Sequence, residues 1–157
     1  MDVSQVVVNG VLPRGHTHPS EIPAFVRTSP FCTLKLKVGG RAVYDDAAAV
    51  RAAAAACTAT GKTLRLDANR TWTVAQYRAF VAVLLKPIPI STATSTTPIS
   101  CLDCVEYIEE PVSFIDDLAH VLDDEHSIPV ALDESLDEID VQRVLPPLAT
   151  RLSLIHI

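Results

Sequence analysis

The sequence predicts an α/β fold, a partial TIM-type (β/α) barrel, and three observations carry that expectation. Strand-like and helix-like patterns alternate along the 157 residues, which implies parallel strands joined by crossover helices. Apolar and charged residues alternate with period two in Thr33-Leu34-Lys35-Leu36-Lys37-Val38 and in Leu64-Arg65-Leu66-Asp67, so each segment presents one charged and one apolar face. Asp67, Glu109 and Asp133 each close a strand-like segment, at the end where (β/α) barrels build their sites.

The elements follow in order. Gln5 to Val11 reads as a strand. Ser20 to about Thr28 is a poor helix, interrupted by Pro23. The Lys-x-Lys strand comes next and is closed by Gly39-Gly40. Asp45 to Thr60 is an alanine-rich helix, stopped by Gly61 where a left-handed cap is wanted. Strand Thr63 to Ala68 carries Asp67. Thr73-Val74-Ala75-Gln76 is a capping box that opens a helix running to Lys86, with Tyr77, Val81 and Leu84 on its core face and Pro87 as its stop. Residues 86–100 hold three prolines among seven serines and threonines and read as an extended, inserted surface loop of low complexity. Strand Val105 to Ile108 delivers Glu109, and a helix spans Phe114 to about Glu125. Strand Ile128 to Leu132 delivers Asp133, and a last helical pattern, Glu138 to Leu145, breaks at Pro146-Pro147. The barrel domain is assigned to residues 1–151. Leu152 to Ile157 matches the in-frame translation of a transposon end used in sequencing libraries and is set aside as non-native.

Composition narrows the function. A formal charge of −6 with no basic stripe argues against a nucleic-acid partner. The longest apolar run, Ala79 to Leu85, is too short to span a membrane, and no secretory start is visible, so a cytoplasmic protein is expected. Cys32, Cys57, Cys101 and Cys104 do not form a disulfide framework. Cys101-Leu102-Asp103-Cys104 lacks the second half of a zinc ribbon, and His16 and His18 sit in an ordinary proline- and glycine-rich loop; none of these is assigned a function.

The charged strand faces point to chemistry. Charge inside a barrel is costly unless it is paired or bound to metal. Carboxylates from three strand ends suit a hard octahedral cation, Mg2+ or alternatively Mn2+, with Lys35 and Lys37 facing it as candidate acid/base groups.

"LRLDANRTWT", "YIEEP" and "PVALDESL", together with "VNGVLP" and "TLKLKVGGR", resemble the o-succinylbenzoate synthases of the enolase superfamily over residues 5–137. The sister families, dipeptide epimerases, N-acylamino acid racemases and muconate cycloisomerases, share the lysines and acids. The resemblance implies strands 1 to 5 of the superfamily's C-terminal barrel and a Mg2+ held by Asp67, Glu109 and Asp133, with a small-molecule carboxylate as substrate. It implies that Lys37 takes the proton α to that carboxylate and returns it to the departing hydroxyl. Lys35 is expected to lower the pKa of Lys37 as a like charge. Arg65 and Asn69 flank Asp67 as tentative substrate contacts, whereas alternation turns Glu110 and Glu134 away from the site. A plastid stroma is the alternative compartment. The family's capping domain, the second half of its barrel and its sixth-strand lysine are not found in the sequence, so the 157 residues alone are expected to be catalytically silent.

Overall fold

A computed structural model describes residues 9–12, 18–92, 95–125, 128–133 and 135, with the backbone course alone for 89–92 and 95–99. The elements are β1 (Gly10–Val11), α1 (Ile22–Thr28), β2 (Thr33–Lys37), α2 (Val43–Thr60), β3 (Thr63–Asp67), α3 (Val74–Leu84), β4 (Ile88–Thr92), β5 (Ser95–Ile99), β6 (Val105–Glu109), α4 (Leu118–Leu122) and β7 (Val130–Ala131). Five strands form one sheet in the order β1-β2-β3-β6-β7, every pair parallel, with helices in the crossovers. This is the α/β, part-barrel architecture that the alternating pattern implies.

Alternation divides the sheet into two faces. Leu34, Leu36, Leu64, Leu66 and Ile108 are buried and join the core under the helices with Val26, Val50, Phe80 and Val121. The opposite face carries Lys35, Lys37, Arg65, Asp67, Tyr107 and Glu109. On α2 the buried positions are mostly alanine (Ala47, Ala49, Ala53, Ala54, Ala56), so the helix packs closely on β3 and between α1 and α3. The helix ends at Gly61, whose φ of 66° places it in the left-handed region, with the Lys62 N–H donating to the Cys57 carbonyl at 2.9 Å. The Thr73/Gln76 capping box closes reciprocally at the start of α3.

Several expectations need correction. The segment around Pro23 is a regular helix of about two turns, because Pro23 lies in the first turn, where its missing N–H has no intrahelical partner to lose. Residues 86–100 are extended, but as an antiparallel hairpin of β4 and β5 that pairs Pro89 with Pro98. The two strands form a sheet of their own, so the prolines remove no bond from the main ladder. The stretch from Phe114 to Glu125 is a 3₁₀ turn (Ile115–Asp117) followed by only five α-helical residues. Residues 5–8, His16, the pattern at 138–145 and residues 152–157 lie outside the described residues.

The ends of β2, β3, β6 and β7 stand level, with β1 stopping short at the row of Lys35, and the parallel ladder continues one residue past β1, β2, β3 and β6. Leu12, Val38, Ala68 and Glu110 donate their N–H groups to the carbonyls of Lys35, Asp67, Glu109 and Ala131, at 2.9, 2.8, 3.0 and 3.1 Å. Beyond that row, Trp72 and Val112 form a further parallel bridge, and Trp72 is buried against Phe80 with ring centroids 4.5 Å apart.

The turn after β2 is equally constrained. Gly39 has φ +84°, and a Cβ there would lie 1.8 Å from Thr71 Oγ1 and 2.9 Å from the Ala68 carbonyl oxygen. Its N–H donates to Oδ2 of buried Asp46 at 2.8 Å, and Arg41 Nε donates to Oδ1 at 3.1 Å. Gly39→Ala is therefore expected to cost about 1–3 kcal/mol through the left-handed backbone alone, more with the Thr71 clash. Urea denaturation checks this; an unchanged midpoint would contradict it.

Candidate active site at the strand ends

Register builds the site. Lys37, Asp67 and Glu109 are direct neighbours across β2, β3 and β6, with Lys35, Arg65 and Tyr107 one row below. Between Leu64 and Arg65 the pairing with β6 shifts by one residue, so Glu106 is the extra residue of a bulge. Without that shift, Glu109 would pair out of phase with Asp67.

The two lysines and two acids are in contact. Lys35 Nζ lies 2.9 Å from Asp67 Oδ2 and 2.6 Å from Glu109 Oε2, and Lys37 Nζ lies 2.5 Å from Asp67 Oδ2. Lys37 also donates to Asn69 Oδ1 at 2.9 Å, and the Asn69 N–H donates to Asp67 Oδ1 at 3.0 Å. Asp67 and Glu109 are each 2% exposed.

Their titration follows from these contacts. Burial raises the Asp67 pKa, but the two ammonium groups outweigh it and hold the carboxyl below its ordinary value. Burial lowers that of Lys35, yet Glu109 and Asp67 outweigh it and hold the ammonium above its ordinary value. Glu109 goes the other way. Burial pushes it up, Lys35 offsets only part of this, and the negative charges of Asp67 and Asp133 add to the rise. Glu109 Oε2 also receives no directed hydrogen bond, since Lys35 approaches it outside hydrogen-bond geometry. The oxygen is buried, with the Lys35 ammonium as its ion-pair partner.

The donor set tests whether the residues fit a divalent cation, and they fit in chemistry. Asp67, Glu109 and Asp133 supply hard carboxylate oxygens from three adjacent strands. Among the described residues, however, no three such groups are gathered closely enough to hold an ion, and Lys35 stands between Asp67 and Glu109. Asp133 lies two residues beyond the last paired residue of β7 and is exposed.

The tentative contacts divide. Asn69 is in the cluster, through Lys37. Arg65 instead serves the row below, donating from Nε to Glu106 Oε2 at 2.6 Å with its guanidinium 5.1 Å from the Tyr107 ring centroid. Thr63 Oγ1 donates to the other Glu106 oxygen at 2.6 Å. A cavity of about 310 Å³ opens beside Lys37, lined also by Asn69, Arg41 and Thr71.

Glu110 has a role that alternation does not disclose, tied to the segment that carries Asp133. It is buried, and it accepts hydrogen bonds from the Asp133 N–H at 2.7 Å, the Ser135 N–H at 3.0 Å and Ser135 Oγ at 2.5 Å. Glu134 lies outside the described residues. Asn69, Arg70 and Glu110 all have positive φ, at 47°, 58° and 48°. Asn tolerates this, whereas Arg70 and Glu110 each give up about 1–2 kcal/mol. The two-residue pattern ends at Glu109 because the backbone itself turns there; the Glu-Glu-Pro sequence was the available signal.

Comparison with known proteins agrees with this construction. Protein PHYLLO, chloroplastic, of Arabidopsis thaliana is 36% identical over 110 residues, which is 70% of this chain and 5% of that protein. Among solved structures, the o-succinylbenzoate synthase of Thermosynechococcus elongatus BP-1, complexed with Mg in its active site, matches with a TM-score of 0.59. Its identity is 24%, over 82% of this chain and 36% of that one. The L-Ala-D/L-Glu epimerase of Bacillus subtilis matches with a TM-score of 0.61 at 23% identity, over 92% of this chain and 36% of that one. An enolase-superfamily member from Roseovarius nubinhibens ISM gives 0.63 at 22% identity, over 94% and 38%. At such identities the structural likeness shows the fold, and the chain spans little more than a third of these three structures. Residues 21–145, most of the chain, match the family described as enolase C-terminal domain-like. The chain belongs to that enolase C-terminal domain-like family.

Proposed function

We propose that this chain carries the acid/base and metal-binding strands of a Mg2+-dependent o-succinylbenzoate synthase, a hydro-lyase. The substrate would be 2-succinyl-6-hydroxy-2,4-cyclohexadiene-1-carboxylate, and the pathway menaquinone or phylloquinone synthesis. The observation that supports it most is the level row of Lys37, Asp67 and Glu109 with Lys35 reaching up between the acids. The relative at 36% identity is a chloroplast protein, which supports the plastid as its compartment. No helix among the described residues is long and apolar enough to cross a membrane.

Asp67, Glu109 and Asp133 would hold the cation. Bound there, Mg2+ supplies positive charge that neutralises the acids and stabilises the negative charge developing on the substrate carboxylate. Lys37, as the amine, takes the proton from the carbon α to that carboxylate. The carbon–oxygen bond of the β-hydroxyl then breaks, and the Lys37 ammonium returns its proton to the departing oxygen, releasing water. Asn69 Oδ1 holds the Lys37 side chain toward the reacting face. Lys35 keeps Glu109 and Asp67 paired and adds cationic charge beside the developing anion.

The test uses the chain within a barrel completed by the segments its relatives carry beyond this span, assayed in D2O on a panel of the dienyl hydroxy-acid, dipeptides and muconate. Loss of water from the hydroxy-acid is the expected result. Deuterium exchange at the α-carbon of a dipeptide without elimination would replace this reading with an epimerase.

A further inference from the structure

The geometry points to Glu110 as a positioning residue that fastens the third carboxylate, Asp133, over Asp67 and Glu109. This rests on the metal reading of the site and deepens it. Glu110 is 2% exposed. Its carboxylate accepts only from neutral groups in the contacts described above, the Asp133 and Ser135 N–H groups and the Ser135 hydroxyl. A buried carboxylate spent on neutral donors is costly unless it holds something in place. What it holds is the turn after β7, which among the described residues has no ladder pairing beyond Ala131.

The backbone of the same residue completes the fastening. The Glu110 N–H donates to the Ala131 carbonyl at 3.1 Å, and its carbonyl accepts from the Arg70 N–H at 2.9 Å. One residue thus joins the segments that leave β3, β6 and β7, and these three segments carry Asp67, Glu109 and Asp133. The backbone of Glu110 is itself in the left-handed region, with φ +48°. The residue before a proline favours extended backbone, and a left-handed position favours glycine. A turn needing only its shape would be better served by glycine, so the glutamate side chain is what this position keeps. It acts on the cation through Asp133, in the way that outer hydrogen bonds orient metal ligands.

The experiment is a Mn2+ titration of the 157-residue chain, read by the paramagnetic resonance of free Mn2+, with amide exchange at Asp133 and Ser135 followed by NMR. Glu110→Ala is expected to weaken Mn2+ about 10- to 100-fold and to expose both amides to exchange. Glu110→Gln retains an acceptor for both N–H groups and a donor for Ser135 Oγ, and is expected to recover most of the affinity and the amide protection. A role through charge alone would leave Gln as weak as Ala, and that result overturns the proposal. Exposed amides with wild-type Mn2+ affinity in Glu110→Ala overturn it as well. Should Glu110→Ala fail to fold, Ser135→Ala removes one of the three donors. It is expected to weaken Mn2+ about threefold, and an unchanged affinity there overturns the proposal. A wild-type chain that takes up no Mn2+ is seen before any substitution; it refutes the metal reading itself, and the proposal with it.

Discussion

Lys37→Ala is expected to lower turnover about a thousandfold or more in the completed barrel, while leaving the fold and divalent-metal affinity close to wild type. On the role proposed for Lys37, the rate loss follows from removing the group that both takes and returns the proton, since one positioned acid/base contributes about 10²–10⁴-fold. The fold survives because Lys37 is not the only cation on the buried acids: Lys35 remains within 2.9 Å of Asp67 and 2.6 Å of Glu109. Losing Lys37 removes one donor from Asn69 Oδ1, which sits at the half-exposed rim within reach of water. Steady-state kinetics, urea denaturation and Mn2+ titration of the same variant separate these effects. Turnover within tenfold of wild type would refute the assignment of the proton transfer to Lys37.

The contrast between Lys37 and Glu110 shows which parts of such a site a sequence reveals. Everything written with a short period was legible. Lys35 and Lys37 share a face because strands repeat every two residues, and Asp67 falls level with Lys37 because equal-length parallel strands start together at Thr33 and Thr63. Gly61 and the Thr73/Gln76 box announce helix ends by local chemistry, and both do so here. What was illegible depends on partners far along the chain. The bulge at Glu106 is fixed by Thr63 and Arg65, 43 and 41 residues away, and no local feature of Val105-Glu106-Tyr107 requires it. The bonding of Glu110 is hidden for a related reason: the two-residue pattern ends at Glu109, where the backbone leaves the strand. Its partners at Asp133 and Ser135 lie on another strand end. The hairpin at 88–99 was hidden by composition, since serine, threonine and proline describe an extended loop and an isolated pair of strands equally well.

Asp67→Asn is the substitution expected to do the most damage, because it harms both stability and metal binding. Asparagine nearly matches aspartate in shape, and its oxygen can still accept the Asn69 N–H in the place of Oδ1. At the Oδ2 position, however, an amide NH2 would then face Lys35 and Lys37, which approach to 2.9 and 2.5 Å. A donor would be aimed at two donors. Turning the amide over only moves the conflict to the Asn69 N–H. Lys35 would be left with Glu109 as its acid, and Lys37 with the neutral Asn69 Oδ1. Breaking a buried ion pair from one side costs about 3–5 kcal/mol. Here the lysine side chains are 21% and 26% exposed, so water recovers part of that, and a loss of about 2–3 kcal/mol is expected. For a domain whose total stability is about 5–15 kcal/mol this is a large fraction. Removing one of the three proposed anionic ligands should also weaken Mn2+ at least about tenfold. Glu109→Gln separates the two effects: it too removes a ligand but leaves Asp67 to neutralise both lysines, so it should lose metal affinity with a smaller loss of stability. Urea denaturation of both variants, with Mn2+ titrations on the folded protein, provides the comparison. If Asp67→Asn unfolds at the wild-type urea concentration and keeps its Mn2+, then Asp67 is neither the shared counter-ion of the two lysines nor a ligand of the cation.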